Sequence, residues 1–239
     1  MTTWWPYARL TAAALGLTAI IRQLTLSIGN AVHSDTPWGA HLPTVLTNFF
    51  SYFTVLSNVS AAIVLIVGAV WMLRNRRSDV PEPVWLATAL VCVSTYMLVT
   101  GLVYNVLLRQ YPIAGISDVW TNETLHLILP LFLLADVLFA PRRRALPWST
   151  VGVVAAFPLM WAVYTLIRAE FVTAPLVGTP YWYPYPFLNP HVVDGGYLGV
   201  AGYILGIAAA IIAVAAGVVW IGRWRSASVT TDVRVAEAA

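Results

Sequence analysis

The sequence predicts an all-α membrane protein, a six-transmembrane-helix bundle with both termini on the cytoplasmic side. Three observations lead there: an apolar composition, six long hydrophobic runs, and arginines gathered in alternate connections. The 239 residues are 59% hydrophobic and 10% charged, with mean hydropathy +0.76, a balance that water-soluble domains do not reach. Runs long enough to cross about 30 Å of hydrocarbon lie near Trp5 to Ile28, Leu46 to Leu73, Val84 to Leu108, Val119 to Phe139, Trp148 to Ile167 and Tyr197 to Ile221. The first lacks a basic leader and opens on Trp4, Trp5 and Tyr7, so it reads as a retained helix with an aromatic anchor rather than a cleaved signal.

Every basic residue is an arginine, and none is a lysine. Arg74, Arg76 and Arg77 follow the second run, Arg142, Arg143 and Arg144 the fourth, and Arg223 and Arg225 the sixth, which assigns those segments to the cytoplasm. The opposite connections carry Arg22, Arg109 and Arg168. A net charge of +3 distributed in this way reports topology, and nucleic acid is not an expected partner. Membrane lipids are the expected partners, and the expected location is the cell membrane, specifically a bacterial plasma membrane. Residues 1–225 form one transmembrane domain, and 226–239 lack apolar periodicity and read as a disordered cytoplasmic tail. Cys92 is the single cysteine, which rules out an intramolecular disulfide.

Polar groups inside lipid are costly unless they face the bundle, so they are where function is sought. On the second run, Thr47, Ser51, Thr54 and Asn58 recur at helical spacing and predict one polar stripe. On the fourth, Asn122, Glu123 and His126 share a face, with Pro130 one turn on. At 1.5 Å of rise per residue, Thr54 and His126 are expected about 12 Å and about 10 Å from the outer ends of their helices. A hydroxyl and an imidazole at one level are the minimum parts for nucleophilic catalysis. Each also has an ordinary structural use, as a hydroxyl bonded to its own helix or a packing hydrogen bond.

The stretches Tyr52-Phe53-Thr54-Val55-Leu56-Ser57-Asn58 and Asn122-Glu123-Thr124-Leu125-His126 through Pro130 resemble the androgen-induced transmembrane hydrolase family. So does the aromatic and proline-rich Tyr181-Trp182-Tyr183-Pro184-Tyr185-Pro186 before the last run. The resemblance implies Thr54 as nucleophile, His126 as general base, and hydrolysis of esters such as fatty acid esters of hydroxy fatty acids, with no cofactor. The family pattern has a histidine where Glu123 stands, and its Tyr-Pro aligns with either Tyr183-Pro184 or Tyr185-Pro186. Glu123 either orients His126 or merely suits a helix N-terminus. Asn58 and Asn105 are candidates for stabilising an oxyanion, with interhelical bonding as their other use.

Arg22, Arg109 and Arg168 either hold a substrate carboxylate or headgroup, or cap helix ends and snorkel to headgroups. The segment from Pro175 to Pro190 cannot be one helix, and reads as an interfacial belt or a lid. Asp136 is expected to pair with an arginine or backbone group. His33, His41 and His191 match no metal spacing, and His126 alone within the spans does not fit bis-histidine haem. The rival class is a transporter or channel with a polar intramembrane path through Glu123, His126 and Asn58.

Overall fold

The computed structural model describes residues 4–78, 80–111 and 117–237, with residues 227–237 described by backbone alone. Among them, six helices are long and apolar enough to cross a membrane. They are α1 (Trp5–Val32), α3 (Phe53–Arg74), α4 (Val84–Leu108), α5 (Val119–Phe139), α6 (Thr150–Ala169) and α7 (Tyr197–Glu237), with a short α2 (Leu42–Phe49) between the first two. The apolar part of α7 ends at Ser226, but helical backbone continues to Glu237 through the segment expected to be an irregular tail. Residues 238–239 lie outside the described residues.

The helix α4 is the hub. It packs against α3, α5, α6 and α7, and 67% of its most apolar stretch is buried, against 22% for α6 and for α7. Alanines on α1 and α3 meet Leu125, Leu129 and Leu133 of α5 in one core cluster. A second cluster joins α4 to α6 and α7.

One expectation fails at the second apolar run. Instead of a single helix from Leu46 to Leu73, α2 stops at Phe49, residues 50–52 uncoil, and α3 begins at Phe53 with Tyr52 in an extended conformation. The run Phe49-Phe50-Ser51-Tyr52-Phe53 explains the break. Aromatic residues lose rotamer freedom against a preceding helical turn, and the Ser51 carbonyl is taken by the Trp161 indole of α6 at 2.9 Å. The polar stripe is therefore split. Thr47 and Ser51 bond back to Pro43 O and Thr47 O within their own segment. Thr54 sits in the first turn of α3 rather than two turns deep.

The second surprise is at the opposite end of the bundle. Arg9 is 0% exposed and lies between two carboxylates. Its Nε and Nη2 donate to Asp136 at 2.8 and 3.0 Å, and both terminal nitrogens donate to Glu82 Oε1 at 3.2 Å. Trp5 and Arg143 complete the shell of Asp136 at 2.6 Å each. Gly68 on α3 makes room, since a Cβ there would lie 2.7 Å from Arg9 Nη1. Asp136 thus has the arginine partners expected of it. This network sets buried charge at the end of the bundle remote from Thr54 and His126. The arginine-rich connections converge on the same end: Arg142 donates to Asn75 O, Arg144 to Glu82 O, and Arg225 to the carbonyls of Val137 and Ala140.

Removing one partner of a buried ion group leaves an uncompensated charge. Arg9→Met is expected to destabilise the protein by about 3–5 kcal/mol. Adding Glu82→Gln and Asp136→Asn should restore part of that loss, as read by thermal unfolding in detergent.

Candidate active site

The two residues singled out from the sequence meet. Thr54 Oγ1 lies 3.3 Å from His126 Nε2, and the residues are 9% and 7% exposed. The other imidazole nitrogen, Nδ1, is 2.9 Å from the Asn122 carbonyl. A carbonyl can only accept, so Nδ1 carries the proton and Nε2 offers its lone pair to the threonine hydroxyl. That is the tautomer a general base needs.

Local sequence explains how His126 is held. Pro130 has no N–H, so the His126 carbonyl loses its partner four residues on. The helix widens into a π turn over Thr124–Ile128, and the freed carbonyl accepts from Asn105 Nδ2 at 3.3 Å. Asn105 belongs to a second π turn, Tyr104–Leu108, on α4. The two π turns face each other, and Tyr104 stacks on the His126 ring with centroids 4.0 Å apart and planes 25° apart. Gly101 permits this approach: a Cβ there would lie 2.9 Å from Pro130 and 3.1 Å from the His126 carbonyl. Single π turns inside α-helices occur frequently at functional sites.

Thr54 is positioned from the other side by Tyr185. Its hydroxyl lies 3.1 Å from the Thr54 backbone nitrogen and 3.2 Å from Thr54 Oγ1. The first amides of a helix have no intrahelical acceptor, and α3 has no side-chain N-cap, so Tyr185 accepts the Thr54 N–H. Since the Thr54 proton goes to His126, the Tyr185 proton is directed at Thr54 Oγ1. One ordered chain runs from the Thr54 amide through Tyr185, the Thr54 hydroxyl and His126 to Asn122. Of the two Tyr-Pro pairs, Tyr185-Pro186 therefore reaches Thr54. Tyr183 instead donates to Glu170 at 2.6 Å, and Tyr197 and His191 meet the same carboxylate. These bonds fasten the loop to the end of α6.

The remaining sequence candidates serve the surroundings. Asn122 supplies the carbonyl for His126 and donates its amide to Tyr104. Glu123 is tied to Arg109, which also bonds Asn105, so a backbone carbonyl rather than Glu123 orients the imidazole. Asn58 donates to Thr54 O at 2.9 Å and Leu125 O at 3.4 Å. The Asn105 amide bonds Gly101 O at 2.8 Å as well as His126 O. Both asparagines spend their donors on backbone carbonyls. Arg22 pairs with Asp118 at 2.6 Å, and Arg168 donates to Asn48 at 2.7 Å while lying over Trp182. His33, His41 and His191 make separate local contacts, with Gly29 O, Thr44 and Tyr181.

Thr54 lies where two voids meet. A cavity of about 410 Å³ reaches it from the polar side, lined by Gln23, Ser27 and Asn30 of α1, by Asn48, and by Trp182 and Tyr185. An apolar cleft of about 270 Å³ reaches it from between α6 and α7. Thr54, Tyr104, Leu108 and Tyr185 line both. The sequence reading missed Tyr185's distinct role and the α1 lining, although Gln23, Ser27 and Asn30 recur at helical spacing. No protein-family model, curated protein or solved structure matches the chain.

Tyr185→Phe keeps the ring contacts with Tyr52 and Phe187 but leaves the Thr54 amide without an acceptor. A buried unpaired donor costs about 1–3 kcal/mol, so thermal unfolding in detergent should show a loss of that order. The Glu170 carboxyl is held below the ordinary glutamate range, chiefly by the bond from Tyr183. A lowered carboxylate stabilises the fold above its unfolded value, and the contribution disappears as pH falls through the folded one. Acidification should therefore loosen the loop, read as a change in Trp182 fluorescence that is absent in Glu170→Gln.

Proposed function

We propose that this chain is an integral membrane hydrolase that cleaves lipid esters, with Thr54 as nucleophile and His126 as general base. The observation that carries the reading is the Thr54 Oγ1 to His126 Nε2 contact, in which the Asn122 carbonyl leaves Nε2 as the acceptor. The resemblance of the Thr54, His126 and Tyr185-Pro186 segments to the androgen-induced transmembrane hydrolase family supports the same substrate class, esters of fatty acids including those of hydroxy fatty acids.

In the first step Thr54 Oγ1 attacks the ester carbonyl and its proton passes to Nε2. The tetrahedral oxyanion is stabilised by the Tyr185 hydroxyl, the donor beside Oγ1, whose oxygen is held in place by the Thr54 amide. Collapse releases the alcohol, which takes the proton from Nε2, and leaves the acyl group on Thr54. Water then attacks the acyl-threonine with His126 again as base, freeing the fatty acid and restoring the hydroxyl. Asn122 and Tyr104 are positioning residues for the imidazole.

The arginine-rich end of the bundle faces the cytoplasm, following the bias of basic residues toward that side. On this reading both termini lie inside, and the Thr54 cavity lies toward the outer face of a plasma membrane. A transporter would need a path beyond His126. Below the cavity, Leu65, Leu125, Leu129 and Leu133, each 3% exposed or less, pack into a continuous core, which favours a closed pocket.

A fluorophosphonate probe applied to membranes is expected to label wild type and Thr54→Ser, and to leave Thr54→Ala unlabelled. His126→Ala should slow labelling by about 10²- to 10⁴-fold, the usual worth of a general base. An unlabelled wild type, or labelling that survives in Thr54→Ala, would sink the assignment.

A further inference from the structure

The two voids that meet at Thr54 differ in chemistry and in where they open. The cavity on the α1 side carries amide and hydroxyl side chains, including Gln23, Ser27, Asn30 and Asn48. The cleft on the other side is walled by Ala155, Leu159 and Ala162 of α6 and by Ile204, Ala208 and Ile212 of α7. Its polar atoms come chiefly from Thr54, Thr100, Tyr104 and Tyr185. The lining runs from Ala155 to Ala162 along α6 and from Ile204 to Ile212 along α7, which makes it about 10–12 Å long.

The mouth of the cleft fixes what can enter it. Leu159 is 64% exposed and Ile212 50%. Leu159 lies midway along the 20 residues of α6, and Ile212 midway along the 30-residue span Tyr197–Ser226. An opening at mid-height of two membrane-crossing helices faces hydrocarbon, where the only abundant flexible apolar rods are lipid tails. The small side chains Ala155, Ala162 and Ala208 leave the groove between the helices unfilled, and Pro158 inside α6 removes one backbone donor from its wall.

We propose that the α6–α7 cleft is an acyl-chain site open sideways to the bilayer. The acyl chain of the ester lies in the cleft with its carbonyl carbon at Thr54 Oγ1, and the alcohol portion occupies the polar cavity. This rests on the hydrolase reading for the chemistry at Thr54, while the binding of a lipid chain in the cleft stands independently of it. The arrangement makes selectivity two-sided: chain length is read between α6 and α7, and polarity of the leaving group by α1 and the α2 region.

Two readouts separate the proposal from the chemistry. In the first, a palmitoyl ester carrying a diazirine near the middle of its chain is photolysed with Thr54→Ala protein in vesicles, where no turnover is required. Crosslinks should fall on α6 and α7 around Ala162 and Ala208 and be lost in Ala208→Trp, whose indole fills the groove. In the second, acetyl and palmitoyl esters of one chromogenic alcohol are compared in otherwise unaltered protein. Ala208→Trp, and more mildly Ala208→Leu, should lower kcat/KM for the palmitoyl ester about ten- to hundredfold, with the acetyl ester changing less than about twofold and the thermal unfolding midpoint retained. Crosslinks confined to the polar cavity, or unchanged in Ala208→Trp, overturn the proposal, as does a parallel loss for both esters. Crosslinks in the cleft of a wild type that cleaves neither ester would refute the hydrolase and leave the lipid-chain site standing.

Discussion

A guanidinium buried inside an apolar bundle sets the terms for the rest of the molecule. Moving an ion out of water is so costly that Arg9 is tolerable only where carboxylates meet it in good geometry, and Glu82 and Asp136 do so. Because Arg9 also fills the gap above Gly68, the pairing locks α1 against α3 and α5 at one height. Those last two are the helices that carry Thr54 and His126. Asp136 is ten residues from His126, about 15 Å along α5, and Gly68 fourteen from Thr54, about 21 Å along α3. A shift of one turn between α3 and α5 would break the ion network at one end and the hydroxyl–imidazole contact at the other. Stability and site geometry are two readings of one register.

The same logic explains what the sequence disclosed. Span existence and order followed from hydropathy, because an apolar run of twenty residues has few other uses. Thr54 and His126 stood out because a polar pair in lipid demands a partner. The break before Phe53 was invisible to hydropathy, since Phe50 and Tyr52 are as apolar as a helix interior requires. What stops the helix is a contact from Trp161, more than a hundred residues away in sequence. Arg9 was similarly hidden, because its carboxylate partners lie in other segments, far away in sequence. For Glu123 the sequence left two uses open, because its helical spacing to His126 is real while the partner that takes its side chain, Arg109, lies on another helix.

Tyr185 shows how an irregular segment can carry a defined role. Proline after Tyr185 biases it toward extended backbone, and its ring stacks on Phe187 with centroids 5.2 Å apart and planes 5° apart. The loop is fastened at Ala169 O by the Trp182 backbone amide, 2.9 Å away, and at Glu170 by Tyr183. Rigid support of this kind is what lets a loop residue hold an atom to the tolerance that a hydrogen-bonded site needs.

The uncoiled residues 50–52 have an electrostatic consequence. Had α2 and α3 been one helix, Thr54 would lie in its interior, where successive peptide dipoles cancel locally. The break instead makes Thr54 part of the first turn of a 22-residue helix, whose amino end carries the equivalent of about half a positive charge. That partial charge is fixed in place, needs no counter-ion, and lies in surroundings with little water to screen it. An oxygen that becomes negative beside Thr54 would meet it without any group having to move.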